Sequence, residues 1–396
     1  MSIERFRAAA EAVDGLRGEL DTLALDLHAH PELSYEERRS AEQVSAVLRR
    51  HGFSIESGIP DLPTAFRARR ASRAAGSGAP EIVYMAEYDA LPGVGHACGH
   101  NLIAGAGVGA GIALAEWLDA EGLPAVVTVL GTPAEERGGG KIELIRQGYF
   151  QEAACALMFH PYPKTVIAKQ TLGVEEVVVE FHGRASHAAM APEMGLNALD
   201  AMIQLFSGVG LLRQQLPGDV RVHGVITHGG EAPNVIPAYT RAWFFLRTLD
   251  PAYRATLRER FDEVAHGAAR ATGCSAKVHA PAAPYLPMRQ NATMRGLVAE
   301  ALDALGAEYE LGPSAEEPVS TDAGNVSQEL PTAHPFISIG AESIACHRSE
   351  FADAARSGEG LGGMMLAARA LAIVGARVAA EPEVREDLWR DHRTPS

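Results

Sequence analysis

Cys98 and His100 stand two residues apart at the end of the stretch Met85-Ala-Glu-Tyr-Asp-Ala-Leu-Pro-Gly-Val-Gly-His-Ala-Cys-Gly-His-Asn101. A thiolate and a neutral imidazole both suit zinc or a similar divalent ion. The apolar run 82–86 reads as a buried parallel strand that empties into Glu87 and Asp89 and then a Pro-Gly turn. Ligands of open α/β sheets sit just beyond the carboxyl ends of the strands, so the placement suits a site. The same design recurs twice. The run 125–131 ends in Thr132-Pro-Ala-Glu135-Glu136, and 156–159 exits into His160. Side chains of neighbours in extended chain point apart, so one glutamate can ligate a metal while the other faces a substrate water. The plainer alternative is a buried Cys, a hydrogen-bonded His and a solvated acidic turn. Three strand ends that deliver Cys and His, Glu-Glu, and His weigh against it.

The elements that must position these residues follow from periodicity. Residues 3–51 are helical in pattern, broken at His30-Pro-Glu-Leu-Ser-Tyr-Glu-Glu37, where Ser34 and Glu37 have capping-box spacing for the second helix. The Arg-rich stretch 69–78 reads as a loop. Gly105 to Gly111 alternates glycine with small residues, but a turn rather than a strand precedes it, so a dinucleotide fingerprint is rejected in favour of a helix packed close on the sheet. Beyond Gly173 the order is strand 174–182, helix 197–216, strands 221–227 and 241–249, helix 252–271 and strand 275–280, the split βαβ order of a ferredoxin-like fold. The expected domains are therefore 1–173 with 289–396, and an inserted α+β unit, 174–288.

Composition bounds the function. A chain of 396 residues is too long for one compact core. A formal charge of −15 argues against nucleic acid as a partner. Four cysteines are too few for a disulfide-stapled scaffold and point to a reducing compartment. The N-terminus enters a charged amphipathic pattern at once, and no membrane span is expected; the reading is cytoplasmic.

Several motifs in order carry a resemblance: Asp89-Ala-Leu-Pro, His96-Ala-Cys98-Gly-His100-Asn101, Pro133-Ala-Glu135-Glu136, Ser186-His187-Ala-Ala, Ala232-Pro-Asn234-Val-Ile-Pro and Ser320-Thr-Asp322. From about His30 to Phe351 the chain resembles the dinuclear metallo-amidohydrolases and metallopeptidases that include aminoacylases, glutamate carboxypeptidases and auxin-conjugate hydrolases. The nearest branch is that of aminobenzoyl-glutamate hydrolase and β-alanyl-lysine dipeptidase, on account of Glu87-Tyr-Asp-Ala-Leu-Pro-Gly and Asn101. The resemblance implies a mixed-sheet α/β catalytic domain with an inserted ferredoxin-like lid that also dimerises the protein. It implies two divalent ions per chain, zinc or manganese, held by Cys98, His100, Glu136, His160 and His347, with Cys98 as bridging thiolate. Glu135 would be the general base and Asp89 a group that orients a ligand. His187 would stabilise the oxyanion, and Asn234 and Arg247 would hold a substrate carboxylate. The implied reaction is hydrolysis of an amide bond in an N-acyl amino acid, an aminobenzoyl-glutamate-like conjugate or a dipeptide.

Some alternatives stay open at this point. Asn101 stands where many relatives have Asp, and His334 rivals His347 as the last ligand. Arg247 could be a strand-edge charge and His187 a helix-cap donor. Cys98 could instead be a nucleophile, and an idle member of the family could bind metal or a carboxylated ligand without turnover. No Gly-x-Ser-x-Gly turn supports a serine hydrolase.

Overall fold

Strands buried on both faces read as unbroken apolar runs, and Glu81–Ala86, Val126–Gly131 and Ala153–Leu157 are such runs. The computed structural model describes residues 3–312 and 314–394. In it these strands are parallel neighbours, with Glu81–Ala86 in the middle and Ala86 level with Gly131. Their carboxyl ends therefore lie side by side. Thr332–Ala333 extends the sheet in parallel beyond Ala153–Leu157, while Ser54–Ile59 and Leu62–Ala71 extend it antiparallel on the other flank. The sheet is mixed, as expected.

The chain divides into two compact units, Met1–Gln170 with Met288–Ser396, and Thr171–Pro287. Within the second, Gly173–His182, Arg221–His228, Tyr239–Thr248 and Ser275–His279 form an antiparallel sheet in which the last strand lies beside the first and the third between the first and second. That is the ferredoxin-like arrangement. The helices Ala198–Leu212 and Tyr253–Thr272 contribute Ala201, Leu205, Leu257 and Phe261 to a core separate from that of the first unit.

Two expectations about local structure need correction. The Arg-rich stretch 69–78 is strand as far as Ala71 and is turn and loop only beyond it. Within it Arg70 is paired with Asp119 at 2.7 Å, and on the same strand Arg67 is paired with Glu56 at 2.6 Å. The capping box at Ser34 and Glu37 also does not form. The helix begins at Arg38, and it is Glu32 whose carboxylate accepts the Arg39 and Ser40 amides, at 3.1 and 2.7 Å. Ser34 and Glu37 are thereby left for other work.

The helix His100–Glu121 shows why its glycines are there. Residues i and i+4 share a helix face, and residues two apart look in nearly opposite directions. A Cβ on Gly107 or Gly111 would meet Met85 O at 3.0 Å or Val129 Cγ2 at 2.5 Å, both on the sheet. One on Gly105 or Gly109 would run into Met364 Sδ or Leu20 Cδ1, both on other helices. Two bare faces let one helix sit tight between the sheet and a helical layer. This helix and Gly358–Ala380 are each long and apolar enough to cross a membrane, yet most of each is buried against the rest of the first unit. Their hydropathy is that of core helices.

Gly111→Val would drive a branched side chain into Val129. The thermal midpoint should fall by the equivalent of about 1–3 kcal/mol. A melt indistinguishable from that of the parent would show that the glycine does not set the helix–sheet spacing.

Candidate metal centre

Asp89 leaves the central strand with its side chain fully buried, and both of its oxygens are used. Oδ1 lies 2.9 Å from His100 Nδ1, while Oδ2 accepts from Ser34 Oγ and from the Glu136 backbone amide, each at 2.9 Å. Burial opposes its ionisation. The His100 charge and these hydrogen bonds outweigh burial and hold the carboxyl down at about 2. An ionised Asp89 can only accept, so His100 Nδ1 carries a proton and Nε2 is the nitrogen that can take a metal or, without one, a second proton, which burial opposes and the Asp89 and Glu87 carboxylates favour.

That second nitrogen faces acid. His100 Nε2 lies 3.4 Å from Glu87 Oε2, 3.8 Å from Glu136 Oε1 and 3.9 Å from Glu135 Oε2. None of His100 Nε2, Glu136 Oε1 and Glu87 Oε2 has a hydrogen-bond partner, although all are buried. A lone pair facing carboxylate oxygens in a dry pocket is repulsive unless a cation, proton or metal, stands between them. Around the same point Cys98 Sγ lies 3.4 Å from His160 Nε2, and His347 Nε2 lies 3.6 Å from Glu136 Oε2. The donor atoms of Cys98, His100 and His160 all lie within 4.8 Å of one another, as do those of Cys98, Glu136 and His347. His160 Nδ1 is paired with Pro161 O at 2.7 Å, which leaves Nε2 to face Cys98.

Without an ion the Cys98 thiol and the Glu135 carboxyl retain their protons. Burial pushes the Cys98 thiol well up, with the Glu136 carboxylate adding to it. Burial likewise pushes Glu135 well up, followed by Glu87 and Glu136. A thiol held protonated is a poor nucleophile, which counts against Cys98 as the attacking group. The mixed sulfur, nitrogen and oxygen set, its unpaired lone pairs and its excess of acid fit two divalent ions.

The glutamates differ from the sequence expectation in one respect. They do not point apart in extended chain: both approach His100 Nε2. Ala134 precedes them with φ of 60°, a left-handed conformation rare for a residue with a Cβ, and the pair lies in a turn. Glu37 holds that turn. Its Oε1 accepts the Ala134 amide at 2.9 Å and its Oε2 the Thr64 hydroxyl at 2.8 Å. Burial, aided by Asp89, pushes the Glu37 carboxyl up to about 7.

Of the rival histidines, His347 is the one brought to Cys98 and Glu136. It is held by its amide on Ala97 O at 2.9 Å and has φ of 66°. His334 stands behind His160, ring centres 5.9 Å apart. His96 lies against His28, ring centres 6.1 Å apart, and is in none of the donor groups found among the described residues. Asn101 donates to Ala24 O and Ala355 O, at 3.1 and 3.0 Å. An aspartate could not donate to either, so here the amide ties helices together. Two participants escaped the sequence reading, Lys141 and the inward-facing role of Glu87. Lys141 is fully buried and bonds Glu87 and Asp322. The signal was a lone lysine after three glycines, which reads as surface.

His187, Asn234 and Arg247 belong to the second unit. His187 Nδ1 accepts the Ala189 and Met190 amides, both at 3.2 Å, so the neutral ring carries its proton on Nε2 as a donor. The same loop is tied to Asn234, whose carbonyl accepts the Ala188 amide at 3.0 Å. Arg247 lies on Tyr239–Thr248 opposite Arg221, with its guanidinium 5.4 Å from the centre of the Phe245 ring.

The chain is similar to known proteins along nearly its whole length. The profile of peptidase family M20/M25/M40 matches residues 83–369. The Xaa-Arg dipeptidase of Mus musculus is 36% identical over 98% of this chain and 92% of its own length. One subunit of the p-aminobenzoyl-glutamate hydrolase of Escherichia coli is 27% identical over 98% of this chain and 95% of its own length. Among solved structures, a Bacillus subtilis dinuclear metal-binding peptidase of the M20 family superposes with a TM-score of 0.70, at 20% identity over 93% of this chain and 99% of that one.

Asp89→Asn tests the logic of the centre. Removing the acceptor that fixes the His100 tautomer should weaken metal binding about 10–100-fold, read by competition with a chromophoric chelator. An unchanged affinity would mean that Asp89 does not orient His100.

Proposed function

The chain belongs to peptidase family M20/M25/M40, and from that premise we propose that it hydrolyses the amide bond of a dipeptide, an N-acyl amino acid or an aminobenzoyl-glutamate-like conjugate with a free carboxylate. The observation that carries the reading is the convergence of Cys98, His100, Glu136, His160 and His347 on one pocket, with Glu135 beside them. Two divalent ions there, zinc or manganese, would polarise the scissile carbonyl and make a water more acidic.

The rest is done by the chain's own groups. Glu135 takes the water's proton on its carboxylate and passes it to the leaving amine. Asp89 keeps His100 in the ligating tautomer. His187 is the proposed oxyanion donor, supported by the hydrogen bonds that leave its proton on Nε2. Asn234 and Arg247 are the proposed holders of the substrate carboxylate. Intact Glu135 speaks for turnover over mere binding.

The second unit would also carry a homodimer contact. Arg221–His228 is an edge strand among the described residues, and Val225 and Ile226 on it, like Ile203 and Leu211 on Ala198–Leu212, are exposed. With four free cysteines, the working compartment is proposed to be the cytoplasm.

The decisive assay is release of free amino acid from a panel of Xaa-Arg dipeptides, aminobenzoyl-glutamate and N-acyl amino acids, before chelation, after it, and after zinc or manganese is returned. Activity should vanish and return. Glu135→Gln should keep its metal by elemental analysis while turnover drops about 10²–10⁴-fold; full turnover in that variant would defeat the mechanism. Light scattering should give twice the chain mass, and a monomer would remove the dimer.

A further inference from the structure

Lys141 has no exposed surface. Its ammonium donates to Glu87 Oε1 at 2.6 Å and to Asp322 Oδ1 at 2.5 Å, and its backbone amide donates to Asp322 Oδ2 at 3.0 Å. The carboxylates of Glu87, Glu135 and Asp322, all buried, offer oxygens within 4.8 Å of one another. Three carboxylate oxygens so spaced are a hard donor set of the kind that takes magnesium, manganese or calcium. Glu87 Oε2, the oxygen that Lys141 leaves alone, is buried without a hydrogen-bond partner and faces His100 Nε2. The acidic cluster thus adjoins the donor set of the metal centre directly.

The backbone delivers Lys141 to this place. Gly138 and Gly139 turn the chain with φ of 105° and 75°, and a Cβ on Gly140 would collide with Pro133 O, so the turn closes against the strand exit that carries the glutamates. Burial disfavours the ammonium, but the charges of Asp322 and Glu87 outweigh burial and hold it protonated.

Resting on the two-metal reading above, we infer that Lys141 is a built-in cation: it fills the place among Glu87, Glu135 and Asp322 that a further divalent ion would take. It confines exchangeable metal to the side of Cys98, His100, Glu136, His160 and His347. A tethered ammonium neither exchanges nor yields to chelators, and its fork onto Glu87 and Asp322 fixes the walls around Glu135. It is a positioning residue, acting through those two carboxylates.

The test is metal stoichiometry. Full-length wild type, Lys141→Met and Lys141→Met with Asp322→Asn are dialysed against manganese and analysed for bound metal, with folding followed by circular dichroism and thermal melts. Wild type should hold about two equivalents per chain. Lys141→Met should hold one more, with a midpoint that rises on added manganese by more than that of wild type, and the double variant should lose the extra ion. A folded Lys141→Met that saturates at the wild-type level overturns the inference, as does a wild type that already takes the extra equivalent. Lys141→Met that will not fold even when made in excess manganese, while Lys141→Arg folds, also overturns it, because an ion should replace the ammonium. A folded wild type without bound metal is a separate result that removes the two-metal reading itself.

Discussion

Ionising a carboxylate inside a protein is costly unless each of its oxygens finds donors. Asp89 solves this by gathering Ser34, His100 and the Glu136 amide, which come from three separate segments. Each bond settles something else. The bond to His100 decides which ring nitrogen keeps its lone pair. The one to Glu136 fixes the backbone that follows the strained Ala134. The bond from Ser34 draws the loop before the helix that begins at Arg38 onto the strand end, where Glu37 of that same loop steadies the Ala134 amide. The demand for a cation in the pocket, proton or metal, follows from this arrangement, because His100 Nε2 looks onto three glutamates.

Much of the frame was legible in the residues. Parallel strands buried on both faces leave apolar runs that end abruptly, so the three strand exits and their Cys, His and Glu payloads could be read in order. The inserted unit was legible because its strands and helices alternate in a distinctive order. The flanking hairpin was not, because its arginines mimic a solvated turn until their acidic partners, Glu56 and Asp119, are placed by the fold.

The failures within the site have one cause: sequence does not reveal what a polar side chain will face. Ser34 and Glu37 match a capping pattern, yet Glu32 caps the helix and leaves them to the pocket. A non-glycine residue with positive φ leaves no mark in the sequence, so the convergence of Glu135 and Glu136 was read as divergence. Cys98, His100, the glutamate pair and His160 were legible at the strand exits, whereas His347 and the choice of Glu136 over Glu135 came from the family resemblance, and their meeting is a property of the fold.

The pocket also dictates an order of assembly. Lys141 and Asp322 are 181 positions apart, and Asn101 bonds residues on both sides of it, 77 and 254 positions away. Between them the ribosome must make Thr171–Pro287, which has a core of its own. Until Asp322 and His347 emerge, Lys141 has only Glu87 of its two carboxylates and Glu136 lacks His347, so the carboxyl edge of the sheet keeps its water and stays open. The inserted unit can collapse on its own core during that interval, whereas the nascent first unit waits with apolar strands already made, a window in which chaperones are most needed.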